Sequence, residues 1–110
     1  MYIDFVSRKL KRDCEESKFR NKRWNKLGNK IVQRLNEIGA SQNLAELLRL
    51  PGARCHALSG DRDGQYAVKL DDNNRLIFEA SDDPNARIAN GKLDLTKVTA
   101  VKIIDITDYH

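Results

Sequence analysis

The sequence predicts an α+β domain. A strand and two to three helices precede four further strands, and the helices pack on one face of a mainly antiparallel four- to five-stranded sheet. Three observations carry this reading. Apolar residues recur at helical spacing between Ser17 and Ile38, and near a period of two between Arg54 and Glu79 and again from Val98 to Ile106. Strands grouped after helices favour an antiparallel or mixed sheet, with one face buried by the helices and the other left open as a site.

Met1 to Val6 alternates enough to form the first strand, and the Ser7 hydroxyl is placed to cap a helix over residues 8–16, with Leu10 and Cys14 on its buried side. Phe19, Trp24, Leu27, Ile31, Leu35 and Ile38 mark an amphipathic helix. Gly28 within it signals a break or a close helix crossing, and Gly39 its end. Lys18, Arg20, Lys22, Arg23, Lys26, Lys30 and Arg34 fill the rest of its surface, while Phe19 and Trp24 read as core. Ser41–Leu50 is a short further helix, stopped by Pro51-Gly52. Three strands follow, joined by a turn with glycine at each end (Gly60, Gly64) and by Asp71-Asp72-Asn73-Asn74, whose side chains bond their own backbone. Ser81–Lys97 reads as a long, mobile polar excursion, and Val98–Ile106 as a strand buried against the helices.

At 110 residues, with 40% hydrophobic and 33% charged residues, the chain fits one domain over residues 1–110 with one core. No apolar run nears the ~20 residues that cross a bilayer. Met1-Tyr2-Ile3-Asp4 does not open a signal peptide, which points to a cytoplasmic protein without membrane contact. Cys14 and Cys55 lack metal-ligand spacing and read most simply as reduced thiols. Asp71 and Asp72 have no third ligand at metal spacing, so neither metal nor cofactor is expected. The net charge of +4 is uneven: residues 1–50 carry 12 Lys+Arg against 6 Asp+Glu, and residues 51–110 carry 8 against 10. A one-sided positive field of this kind attracts polyanions, although lysine and arginine are also ordinary residues of solvated helices.

Several segments together resemble one family. Leu58-Ser59-Gly60-Asp61-Arg62-Asp63-Gly64 before a strand, Arg75-Leu76-Ile77-Phe78-Glu79, and the terminal Asp108-Tyr109-His110 are similar to the HigB branch of the RelE/ParE toxins of bacterial type II toxin–antitoxin modules. Pro51-Gly52-Ala53-Arg54-Cys55-His56 and Asn43-Leu44-Ala45-Glu46-Leu47 match how members approach that block, and the likeness is greatest to those often labelled killer suppression proteins. The resemblance implies a RelE-like (microbial RNase-like) fold and a ribosome-dependent mRNA endonuclease, or mRNA interferase, that inhibits translation. It also implies a helix-turn-helix, HigA-like antitoxin from the same operon, through which the complex would bind operator DNA. The sheet face would meet mRNA, and basic helices (Lys22, Arg23, Lys26, Lys30) would meet ribosomal RNA.

Metal-free RNA cleavage needs a base for the 2′-hydroxyl, an acid for the leaving 5′-oxygen and a cation for the phosphate. His110 and His56 lie at positions matching the family's active-site histidines. The resemblance makes His110 the leading proton-transfer group, with His56 as its partner or as a phosphate ligand. Tyr109 would stack on a base or donate a hydrogen bond, and Asp108 would orient His110 or accept a proton. Arg75 would clamp phosphate, since guanidinium binds its oxygens bidentately. Arg62, Lys69 and Arg54 are further phosphate-binding cations, and Arg62 has a second reading as a brace of its own turn through Asp61 or Asp63. Ser59 stands where many relatives have lysine and Asn74 where many have tryptophan; with Asp71 and Asp72 these departures motivate a catalytically weak remnant acting as an antitoxin-binding module. A ParE-like inhibitor of DNA gyrase, which would need no proton-transfer residues, is the other competing function.

Overall fold

The computed structural model describes residues 1–81, 86 and 91–108. Its strands are β1 (Tyr2–Phe5), β2 (His56–Ala57), β3 (Gln65–Lys69), β4 (Asn74–Ala80) and β5 (Ala100–Asp108). Its helices are α1 (Arg8–Glu15), α2 (Ser17–Trp24), α3 (Gly28–Ala40) and α4 (Leu44–Leu48), with single 3₁₀ turns at Asn25–Leu27, Pro51–Ala53, Gly60–Arg62 and Leu95–Lys97. The sheet order is β1-β5-β4-β3-β2, with β1 parallel to β5 and every other pairing antiparallel. The α+β architecture is as expected, with four helices rather than two or three.

Local chemistry sets most boundaries. The Ser7 hydroxyl accepts from the Leu10 amide at 3.1 Å and starts α1. The helical stretch from Ser17 divides after Trp24, because Asn25 adopts φ +47°, a conformation that ends an α-helix. Gly28 then opens α3 where the two helices cross: a Cβ there would lie 3.1 Å from Arg20 Cγ. Both readings of Gly28 thus apply. Gly39 does not end the helix. Ala40 is its last residue, and Ser41 closes it by donating from its hydroxyl to the Glu37 carbonyl at 2.8 Å. The Asn43 side chain caps α4 at the Glu46 amide, 2.8 Å away.

The core lies between the helices and one side of the sheet. Ile31, Ile38, Leu44 and Leu47 meet Val68, Leu76, Phe78, Val101 and Ile103, all fully buried or nearly so. The same alternation that turns these strand residues inward turns their neighbours outward. Leu58, Ala67 and Ile77 form a second, small buried cluster on the opposite side, with Ile104 against it. A β-bulge permits this in β5: Ile77 opposes Asp105 and Phe78 opposes Ile103, leaving Ile104 surplus to the ladder. Of the Ser81–Lys97 excursion, Ala86 is buried in the core, Leu93 and Leu95 pack against it, and Asp94 caps the turn after it by accepting from the Thr96 amide. At these residues the excursion is anchored. Residues 82–85 and 87–90 lie outside the described residues.

Two cations expected on the helical surface are structural. Arg34 is 5% exposed and donates to the carbonyls of Lys69 (2.6 Å) and Gly52 (2.7 Å) and to Glu37 Oε1 (2.6 Å). Arg20 donates to the Cys14 and Glu15 carbonyls and fastens α2 to the end of α1. The two aromatics read as core are half-buried, each beneath a guanidinium: Arg12 lies 4.1 Å over Phe19 and Arg23 4.4 Å over Trp24. Both arginines also bind the buried Asp13, Arg23 at 2.8 Å and Arg12 at 3.1 Å. The Arg23 hydrogen bond is the chief reason that the Asp13 carboxyl titrates below its ordinary 3.8, against an opposing push from burial. Asp13 therefore stabilises the α1–α2 hairpin fully above pH 3.8, and that contribution fades as the pH falls below it. Asp13→Asn should be less stable than the parent at about pH 7, with the difference narrowing in acid below the ordinary carboxylate range, read from urea unfolding across that span. A difference independent of pH would remove the carboxylate's role.

Candidate functional site

The open side of the sheet collects the residues singled out from the sequence. His56, Ala67, Ile77 and Asp105 lie side by side across β2, β3, β4 and β5, and Lys69, Arg75 and Thr107 form the next row. His56 is exposed, and its Nδ1 lies 3.0 Å from the Arg54 carbonyl. A carbonyl only accepts, so Nδ1 carries the hydrogen and Nε2 keeps its lone pair in the neutral ring, directed away from this bond. Arg54 makes this contact from a left-handed conformation, φ +48°. Its backbone positions His56, a role separate from the phosphate contact expected of its side chain.

Arg75 is half-buried. Its Nη1 donates to the carbonyls of Asp71 (2.5 Å) and Asn74 (3.0 Å), while Nε and Nη2 have no partner among the described residues. One arm of the guanidinium is thus anchored to the β3–β4 turn. The turn is held by Asp71, whose Oδ1 accepts from the amides of Asn73 (2.9 Å) and Asn74 (2.7 Å), with the Asn74 side-chain amide donating at 3.0 Å. Desolvation pushes the Asp71 carboxyl up, but these hydrogen bonds and the Arg75 charge outweigh it and hold the group below its ordinary value. Asp72 pairs with Lys69 at 3.2 Å. Both aspartates that threatened to repel a polyanion are therefore engaged, one in turn geometry and one with a lysine. Asn74 is part of the same brace.

Arg62 does not brace its turn through Asp61 or Asp63. It reaches across the open side to Gln65 Oε1 (2.9 Å) and Asp105 Oδ2 (3.6 Å), so the Gly60–Gly64 loop folds over the small Ala67–Ile77 cluster. Gly60 (φ +63°) and Gly64 (φ +87°) supply the left-handed backbone which that loop requires. Sequence reasoning missed Gln65 and Asp105. The signal for Asp105 is an acidic residue between Ile104 and Ile106 in an otherwise apolar strand.

Asp108 is not brought together with these groups: it pairs with Asn74, and strand alternation places it with Ile106 and Leu76 on the helix side. Tyr109 and His110 lie outside the described residues. Lys22 and Lys26 are exposed around the end of α2, where Arg23 is committed to Asp13, and the half-buried Lys30 donates to Gln33 at 3.1 Å. A shallow pocket lined by Val6, Ser7, Lys9, Leu10, Arg23, Ile104 and Asp105 joins this hairpin to the edge of the open face. Cys14 and Cys55 are buried free thiols, each pushed up to about 12 by desolvation and unsuited to nucleophilic work. Among the described residues no three His, Cys, Asp or Glu side chains group as metal ligands, and no helix is long and apolar enough to cross a membrane.

A family model described as the RelE-like toxin of type II toxin–antitoxin system HigB matches residues 3–96. Among solved structures, the chain is similar to one from a YoeB-YefM complex of Staphylococcus aureus, at 18% identity and TM-score 0.58 over 100% of this chain and 97% of that one. It is similar to a YoeB/ParE toxin from Agrobacterium tumefaciens at 12% identity and TM-score 0.56, over 100% of both chains. A YafQ mutant from E. coli matches at 16% identity and TM-score 0.56, over 96% and 90% of the two chains. At such identities the likeness is one of fold. No curated protein matches the sequence.

Proposed function

The chain belongs to the HigB-like family of RelE-like toxins of type II toxin–antitoxin systems, and from that premise we propose that it is a ribosome-dependent mRNA endonuclease. The observation that carries this reading is the exposed His56 beside the Lys69–Arg75–Thr107 row, with one arm of Arg75 held by the turn. On this reading the sheet face takes the message, Arg75 binds the scissile phosphate with Lys69 and Arg62 as supporting cations, and Arg54 acts chiefly through His56. His56 Nε2 accepts the 2′-hydroxyl proton, and His110 protonates the leaving 5′-oxygen. Tyr109 would stack on a base. Asp108, set on the other side of the strand, would act only through the two residues after it. The exposed Lys22 and Lys26, with Lys30, would face ribosomal RNA, while Arg23 secures the hairpin that presents them.

The reaction places the protein in the cytoplasm, requires no metal, and calls for a HigA-like helix-turn-helix antitoxin that silences the enzyme and carries the complex to operator DNA. The test is primer extension on a translated message in a purified translation system, with the parent and with His110→Ala. Cuts within codons that depend on the ribosome and vanish in the variant are expected. Intact message under active translation would overturn the reading. Blocked DNA supercoiling in the same preparation would then favour gyrase inhibition, and neither effect would favour an antitoxin-binding module.

A further inference from the structure

At the other end of the open face lies a cavity of about 650 Å³ lined by Asp4, Gly64, Glu79, Ala80, Ser81, Leu93 and Lys102. Its three charged residues are cross-strand neighbours: Lys102 stands opposite Glu79 on one side and opposite Asp4 on the other. Adjacent opposite charges on one sheet face ordinarily pair. Here none of the ion pairs among the described residues includes any of the three. The Asp4 carboxylate turns instead to its own strand, accepting from the Phe5 amide at 2.8 Å. Glu79 and Lys102 thus present an acceptor and a donor side by side at a cavity mouth. Gly64, with open space where a side chain would stand, forms part of the rim.

We propose that this cavity is a subsite for a guanine base of the bound strand. The inference rests on the nuclease reading above and adds to it a specificity determinant. An ionised carboxylate can only accept and an ammonium can only donate. Guanine offers two donors, N1–H and N2–H, directly beside the acceptors O6 and N7. Glu79 would take the donors and Lys102 the acceptors. Adenine and cytosine each offer a single amino group beside an acceptor (N6 with N1 or N7, N4 with N3) and so give the carboxylate one hydrogen bond where guanine gives two, and uracil flanks its one donor with carbonyls. Tyr2 lies on the same face two residues before Asp4 in β1 and is 75% exposed, the position of a stacking platform for the base. Glu79 is four residues along β4 from Arg75, about 14 Å at the rise of a strand, so one short single-stranded segment can occupy both ends.

The test is a titration of the intact protein with GMP, AMP, CMP and UMP, followed by the backbone amide signals in NMR. GMP should bind about tenfold or more tighter than AMP and move the signals of Gly64, Ala80 and Ser81. Glu79→Gln, shown by thermal melting to be folded, should abolish the preference. Tyr2→Ala should weaken all four nucleotides by roughly tenfold and leave the preference intact. Equal binding of GMP and AMP, no GMP binding at millimolar concentration, or an unchanged preference in Glu79→Gln would each overturn the subsite. The titration involves no cleavage, so the two readings fail separately. Guanine-selective binding with uncut message sinks the nuclease, and cleavage without guanine selectivity sinks the subsite.

Discussion

Arg75→Ala is expected to lower kcat/KM for cleavage of a translated message by about a hundredfold or more, the cost of removing one preorganised donor from a site where charge develops on phosphate. The expectation follows from the anchoring of Nη1 to two turn carbonyls, which fixes the guanidinium before any ligand arrives. Alanine removes the charge and the whole fork together. The fold should survive, because the Arg75 side chain is half-buried and water can replace it at the turn carbonyls; a stability change within about 1 kcal/mol is anticipated. Arg75→Lys keeps the charge but not the fork and should recover only part of the rate. Cleavage by Arg75→Ala within about threefold of the parent would remove Arg75 from the chemistry.

Arg34→Ala is expected to cost about 3–5 kcal/mol of stability, because it takes one partner from a buried ionic and hydrogen-bonded group. Against a total of roughly 5–15 kcal/mol for a domain of this kind, that is a large share. The Lys69 and Gly52 carbonyls would lose their donor, and Glu37 would lose its partner beside a new cavity. Arg34→Met, which retains most of the stem, separates the lost polar bonds from the lost volume. Urea unfolding measures both. A loss below about 1 kcal/mol for alanine would mean that the carbonyls find other donors. The change also reaches the site, because the Lys69 backbone held by Arg34 begins the turn on which Arg75 is fastened.

The contrast between these two arginines shows how much is legible in the sequence. Arg75 can be read because its signals are local: a strand of alternating residues and, just before it, an Asp-Asp-Asn-Asn turn whose side chains bond the neighbouring backbone. The same locality makes Ser7, the Gly60–Gly64 loop and the first and last strands readable. Arg34 is not, since its partners at Lys69 and Gly52 are 35 and 18 residues away, and a helical pattern alone assigns such a cation to solvent. Arg62 misleads for the same reason: Asp61 and Asp63 are near in sequence, but the folded loop carries its guanidinium to Asp105. The division at Asn25 and the burial of Ala86 depend likewise on packing among distant segments. The positions of His56, Lys69 and Arg75 on one side follow from strand alternation. The separation of Asp108 from them follows from a phase that only the surplus residue in β5 reveals.

That surplus residue makes the length of the last strand negotiable at a single joint. Val101 and Ile103 point inward two apart, but the next inward residue, Ile106, comes three later. Removing Ile104 would leave a regular pleat with every inward residue unchanged, at the cost of one apolar contact beneath the Gly60–Gly64 loop. Removing Asp105 would keep the phase as well but would cost the ion pair with Arg62, whereas removing a residue beyond the joint, such as Ile106, would turn Thr107 in. Chimaeras that exchange the final strand with another toxin of this fold should therefore be spliced at this joint, where a difference of one residue is absorbed.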